Sequence, residues 1–137
     1  QVEIVERLCA QYSEFFALNP DSKRPELQTP LGVYSEKCGL ENVHMSWGHD
    51  EYLYHMMQPY LPLPALYMIR FHSFYAWHRE NEYQHLCNAQ DDEMKPWVQR
   101  FNPYDLYSKN PNRPKLADVK SYYEDLLAKY LPGELAF

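Results

Sequence analysis

A chain of 137 residues with 45% apolar and 16% aromatic content has the makings of one domain's core, so disorder is not its expected state. The formal charge is −6 and the pI about 5.4, with basic residues scattered and no run longer than Lys23-Arg24. Nucleic acid and anionic membrane both call for a basic face, so neither is expected as a partner.

The longest apolar stretch, around Leu61 to Ile69, is too short and too interrupted by proline to cross a bilayer. Cys9, Cys38 and Cys87 are odd in number and far apart, which implies no disulfide framework and no zinc motif. The opening Gln1-Val2-Glu3-Ile4-Val5-Glu6 lacks the basic-then-apolar pattern of a signal peptide, and a cytoplasmic setting is expected. Thirteen tyrosines bring hydroxyls that need partners when buried.

Residues 1–18 mix apolar and acidic positions and end in a short helix or turn at Tyr12 to Phe16. Asn19 to Pro30 carries Pro20, Pro25 and Pro30 among polar residues and reads as irregular connection, continuing as loop to Gly39. A helix is expected from Ser46, which is placed to cap it, with Asp50 and Glu51 in the first turns and Trp47, Leu53, Tyr54 and Met57 at helical spacing. Pro59 and Pro62 end it. Pro64 then suits the first turn of a second helix running to about Trp77.

Arg79 to Gln90 reads as loop or short helix. Asp91-Asp92-Glu93 opens a third helix, with Pro96 tolerable only near its start and Pro103 expected to kink or interrupt it just before Asp105. The last helix, Leu116 to Tyr130, has the apolar stripe Val119, Tyr122, Tyr123, Leu126 and Leu127, and Pro132-Gly133 stops it. Nothing alternates with the period of a strand. The fold class is all-α, in a single domain spanning residues 1–137.

Six histidines invite a metal reading, yet no His-x-x-x-His pair places two on one helical face, so any ligands come from separate helices. His49, in Trp47-Gly48-His49-Asp50, has the ordinary reading of a surface residue at a helix start. His72 lies in the most apolar helix and is ordinarily a core histidine with a hydrogen-bond partner. Asp105 is costly to bury alone, and Lys109 is its ordinary counter-ion. Together the three make a two-histidine, one-carboxylate set of the kind that suits non-haem iron, although the spacing by itself is not diagnostic. His44, His55, His78 and His85 read as surface residues, and Arg70 as the partner of an acid.

Longer strings carry more. Cys38-Gly39-Leu40-Glu41-Asn42-Val43-His44-Met45-Ser46-Trp47-Gly48-His49-Asp50-Glu51-Tyr52, Tyr67-Met68-Ile69-Arg70-Phe71-His72-Ser73-Phe74-Tyr75-Ala76-Trp77-His78 and Phe101-Asn102-Pro103-Tyr104-Asp105-Leu106-Tyr107-Ser108-Lys109 resemble segments of the myo-inositol oxygenases in fixed order. The ending Lys129-Tyr130-Leu131-Pro132-Gly133-Glu134-Leu135 is similar to that family's C-terminus, and the likeness runs from about Asn19 onward.

The resemblance implies an HD-domain-like helical bundle and a mixed-valent di-iron centre. It also implies a reaction in which myo-inositol and O2 give D-glucuronate without a further cofactor. By position, His49 and His72 match two ligands of one iron, Asp105 a ligand of the other, and His72 and Ser73 substrate contacts. Pro103 and Ala76 depart from the residues usual in the family, a lysine and a proline, without removing a ligand.

The family's remaining ligands, a histidine and a His-Asp pair, lie upstream of the matched region, as does a substrate-binding lysine. The chain therefore reads as the C-terminal half of a monomeric oxygenase, whose N-terminal half is the partner it needs. Alone, it is expected to be weakly stable and inactive. The competing reading is a truncated, non-catalytic homologue acting as an interaction or scaffold domain. A metal-dependent phosphohydrolase, another chemistry of HD-type bundles, lacks its ligand motifs here.

Overall fold

The computed structural model describes residues 13–16, 18–105, 112–131 and 133–135. It is all helical, with no strand among the described residues, and the chain divides into two compact units, Gln1–Glu36 and Lys37–Phe137. In the first, helix α1 spans Ser13–Phe16, and two 3-10 turns follow at Pro20–Lys23 and Pro25–Leu27. Proline opens each turn, and the Asn19 side chain accepts a hydrogen bond from the Asp21 amide at 3.0 Å.

The second unit contains α2 (His49–Met57), α3 (Leu63–Phe71), α4 (Tyr75–His78), α5 (Ala89–Asp105) and α6 (Leu116–Tyr130). Helix α3 is central, packed against both α2 and α5. It is the most apolar of the five and buries Leu66, Tyr67, Arg70 and Phe71. Tyr67 and Phe71 meet Trp77 with ring centroids 6.5 and 5.4 Å apart, and Met94 and Val98 of α5 lie buried in the same core.

The segment before α2 is tied down by its backbone. The Lys37 and Gly39 amides donate to the His85 and Leu86 carbonyls, each at 2.8 Å. Gly39 has φ +87°, and a Cβ there would overlap the Asn88 amide, so glycine is required twice over. The amides of Leu40 and Asn88 both donate to Asp91 Oδ2 at 2.9 Å, and the Tyr67 hydroxyl donates to Asp91 Oδ1 at 2.8 Å. A wholly buried carboxylate thus ties three chain segments together.

Three local expectations are corrected. Ser46 does not cap α2: its carbonyl instead accepts from the Gly48 amide, and the helix starts at His49 with Gly48 as N-cap and no side-chain cap bond. The second helix does not run on to Trp77. It ends at Phe71, where the Phe74 amide turns back to the Phe71 carbonyl and the Tyr75 amide to the Ser73 carbonyl. In an unbroken helix residues 71 and 77 would point about 120° apart and lie well separated along the axis, so the break is what lets Trp77 fold onto Phe71.

Pro103 does not interrupt α5, which continues through Asp105 with both Pro96 and Pro103 inside it. The carbonyls these prolines leave unpaired belong to Asp92 and Gln99, both exposed, where water can replace the lost bond. The last helix has the expected limits, but no residue of it is buried, and Tyr122, Tyr123 and Leu127 of its stripe are more than half exposed. Pro132, expected to stop it, and residues 1–12 lie outside the described residues.

Candidate metal centre

His49 is the first residue of α2 and His72 the C-cap of α3, so the packing of these two helices sets one imidazole against the other. Their Nε2 atoms are 3.1 Å apart, with ring planes 65° from parallel. His72 Nδ1 lies 2.7 Å from the Ile69 carbonyl, which can only accept. In the neutral ring Nδ1 therefore carries the proton and Nε2 the free lone pair.

The close contact has two chemical meanings. His49 can donate an N–H to the bare His72 nitrogen, or both lone pairs can converge on a cation. Cis ligands about 2.1 Å from an octahedral ion lie about 3.0 Å apart, so the spacing suits a shared metal as it stands. A backbone carbonyl holding the far nitrogen is the usual support of a ligating histidine. On donor type and geometry, the pair fits a transition metal such as iron.

The pair opens on a cavity of about 270 Å³, walled mainly by Leu53, Met68, Ile69 and Phe101. Asp105 lines the same cavity from the end of α5 and is exposed. No group of three or more His, Cys, Asp or Glu side chains is drawn close enough to hold a metal among the described residues. Two imidazoles meet, and the carboxylate stands at the rim. Lys109, the ordinary partner considered for Asp105, lies outside the described residues.

Ser73 is exposed, and its hydroxyl donates to Asp50 Oδ2 at 2.6 Å. Ser73 retains lone pairs to accept with, while Asp50 reaches the cavity wall. Partial burial pushes the Asp50 carboxyl up, but the Ser73 hydroxyl and the Glu51 amide outweigh it and hold it below the usual range.

Arg70 pairs with an acid, as expected. Nε and Nη2 grip Glu51 Oε2 and Oε1 at 2.7 Å each, and both side chains are more than nine-tenths buried. Desolvation pushes the Glu51 carboxyl up, yet the Arg70 bonds and charge leave it below the usual range.

Against known sequences, a model of the family described as Myo-inositol oxygenase matches residues 5–137. The chain belongs to the myo-inositol oxygenase family. It is 54% identical to the inositol oxygenase of Mus musculus over 125 residues, which are 89% of this chain and 44% of that protein. It is 51% identical to that of Bos taurus over 140 residues (100% and 47%), and 49% to that of Dictyostelium discoideum over 127 (90% and 44%). The chain thus spans less than half the length of these relatives. The family match also begins upstream of Asn19, where the resemblance was first legible.

Two residues of the site escaped the reading of this family member's sequence. Asp50 stood out only as a helix-start acid, and its place next to His49 was the one signal the sequence offered. His78 was expected at the surface and is in fact 1% exposed. The correction has a physical cause: the break after Phe71 turns α4 inward, carrying Trp77 and His78 into the core together. His44, His55 and His85 are exposed.

Proposed function

We propose that this chain supplies the two imidazole ligands of one iron, His49 and His72, and through Asp105 a carboxylate ligand of a second, in an oxygenase that converts myo-inositol and O2 to D-glucuronate. The observation that carries the reading is the 3.1 Å approach of the two Nε2 atoms, with the His72 far nitrogen tied to a carbonyl. Family membership supplies the substrate class; the donor set supplies the preference, imidazole for a ferrous ion and carboxylate for a ferric one. When bound, the iron pair would supply oxygen activation and the polarisation of a substrate hydroxyl.

The residues of this chain hold and orient. His49 and His72 present lone pairs to one point, and Asp105 offers its charge across the cavity. Ser73, fixed by Asp50, is directed to accept from a substrate hydroxyl. The apolar side of the cavity, with Leu53 and Phe101, keeps bulk water from the reacting face. The remaining ligands and the hydroxyl-binding groups come from a further portion corresponding to the rest of the relatives' length, within an HD-like bundle. The chain by itself does not turn over.

The test is metal uptake and D-glucuronate formation by the full-length protein, in wild type and in the His49→Ala and His72→Ala variants. Retention of both metals per chain in a variant carrying both substitutions would sink the assignment. A wild type that binds no iron yet folds would favour the non-catalytic homologue.

A further inference from the structure

We propose that His78 is a positioning residue: its buried imidazole holds the carbonyl of His72 and so fixes the helix break from which the His72 ring is aimed. The inference rests on the reading of His72 as a metal ligand. His72 is the C-cap of α3, and carbonyls at a helix end have no partner within the helix. His78 Nε2 lies 3.0 Å from that carbonyl and donates to it, from six residues further along the chain.

The short helix that carries His78 is held at its far end as well, because Gln99 Nε2 of α5 donates to the His78 carbonyl at 2.7 Å. On the other side of the break, His72 Nδ1 donates to Ile69 O at 2.7 Å, so the His72 ring turns with the backbone of residues 69–72. The aim of His72 Nε2 thus depends on two bonds, one to its ring and one to its carbonyl. His78 makes the second.

A space-filling role alone does not account for this residue. His78 is 1% exposed and its Nδ1 is buried with no hydrogen-bond partner among the described residues. A phenylalanine or leucine would fill the same volume without an unpaired nitrogen. What an apolar side chain could not do is donate to His72 O.

The experiment uses the full-length protein with His78→Phe and His78→Gln, the glutamine amide standing in for the Nε2–H donor. Cobalt(II) affinity is read from its visible absorption. Amide hydrogen exchange at Phe74 and Tyr75 is read without metal, with far-UV circular dichroism to establish folding. His78→Phe is expected to weaken cobalt binding about tenfold, the low end for loss of a ligand's support, and to speed exchange at both amides. His78→Gln is expected to restore most of both.

Unchanged affinity and exchange in His78→Phe would overturn the proposal, as would a glutamine variant no better than the phenylalanine one. If His78→Phe does not fold, Gln99→Met, at an exposed position, loosens α4 instead, and an unchanged cobalt affinity there overturns it equally. A wild type that takes no cobalt defeats the metal reading, while the exchange at Phe74 and Tyr75 still decides whether His78 holds the break.

Discussion

Helices α2 and α3 meet through two pairs of polar side chains set two residues apart, Glu51 with Arg70 and His49 with His72. Residues two apart on a helix do not share a face, so the pairs lie on different sides of one packing contact. The Glu51–Arg70 pair is complete. Arg70 spends two donors on the carboxylate and others on the carbonyls of Glu41 and Val43, and its guanidinium lies 4.5 Å from the Tyr54 ring centroid. The His49–His72 pair is open: one nitrogen of His72 is anchored, and the two that meet face a cavity. The two pairs thus differ in kind: one is buried and closed by its own partners, the other is left facing a cavity.

That contrast is broken most severely at Arg70. Arg70→Ala leaves Glu51 charged and buried beside an empty space, and is expected to cost about 3–5 kcal/mol in urea unfolding. Replacing both, as Glu51→Leu with Arg70→Met, is expected to recover most of that loss, because apolar packing can substitute for a buried ion pair. If the double variant is no better than Arg70→Ala, the pair is not the closed unit described here.

His72→Ala should act the other way. It is expected to lower metal affinity about a hundredfold or more, in line with loss of a direct ligand beyond the 10–100-fold that support residues carry. Unfolding free energy should change by less than about 1 kcal/mol, because the site is partly exposed and truncation leaves no buried charge. Isothermal titration with iron(II) or cobalt(II), set beside denaturation, separates the two outcomes. Equal losses in both measurements would make His72 a core histidine, the ordinary reading of its sequence context.

The difference between the two pairs also explains what could be read from sequence. The limits of α6 and the start of α3 follow from local signals, proline at the first turn and apolar spacing, and both were legible. Arg70 could be assigned an acid partner because a guanidinium in an apolar helix has few alternatives. The break after Phe71 was not legible, since it depends on Trp77 packing onto Phe71 and on His78 reaching back to His72, contacts that exist only once the chain has turned. His78 was misplaced for the same reason. For the site, residue types suggested a metal and the family strings gave the positions, but the meeting of His49 with His72 across a separation of 23 residues is a tertiary fact. Asp50 was overlooked because its partner, Ser73, lies on the far side of that same contact.

The smallest expected effect probes a second closed network in the core, the one around Asp91. Burial raises the Tyr67 phenol well above its ordinary value; the Gln90 hydrogen bond opposes it, and the Asp91 hydrogen bond and charge add to the rise. In the unfolded chain Tyr67 ionises near pH 10, while in the folded chain it keeps its proton. Between those two pKa values the folded state binds more protons, so its stability is complete below about pH 10 and declines as pH rises beyond it. The decline from this one group is at most about 1.4 kcal/mol per pH unit. Tyr67→Phe removes the phenol and should flatten that part of the alkaline limb in urea unfolding at pH 9 to 11. It should also lower stability at neutral pH by about 1 kcal/mol, through the lost bond to Asp91. An alkaline limb identical in the two proteins would mean that Tyr67 ionises as freely folded as unfolded, and that the Asp91 network is as open to water as the histidine pair.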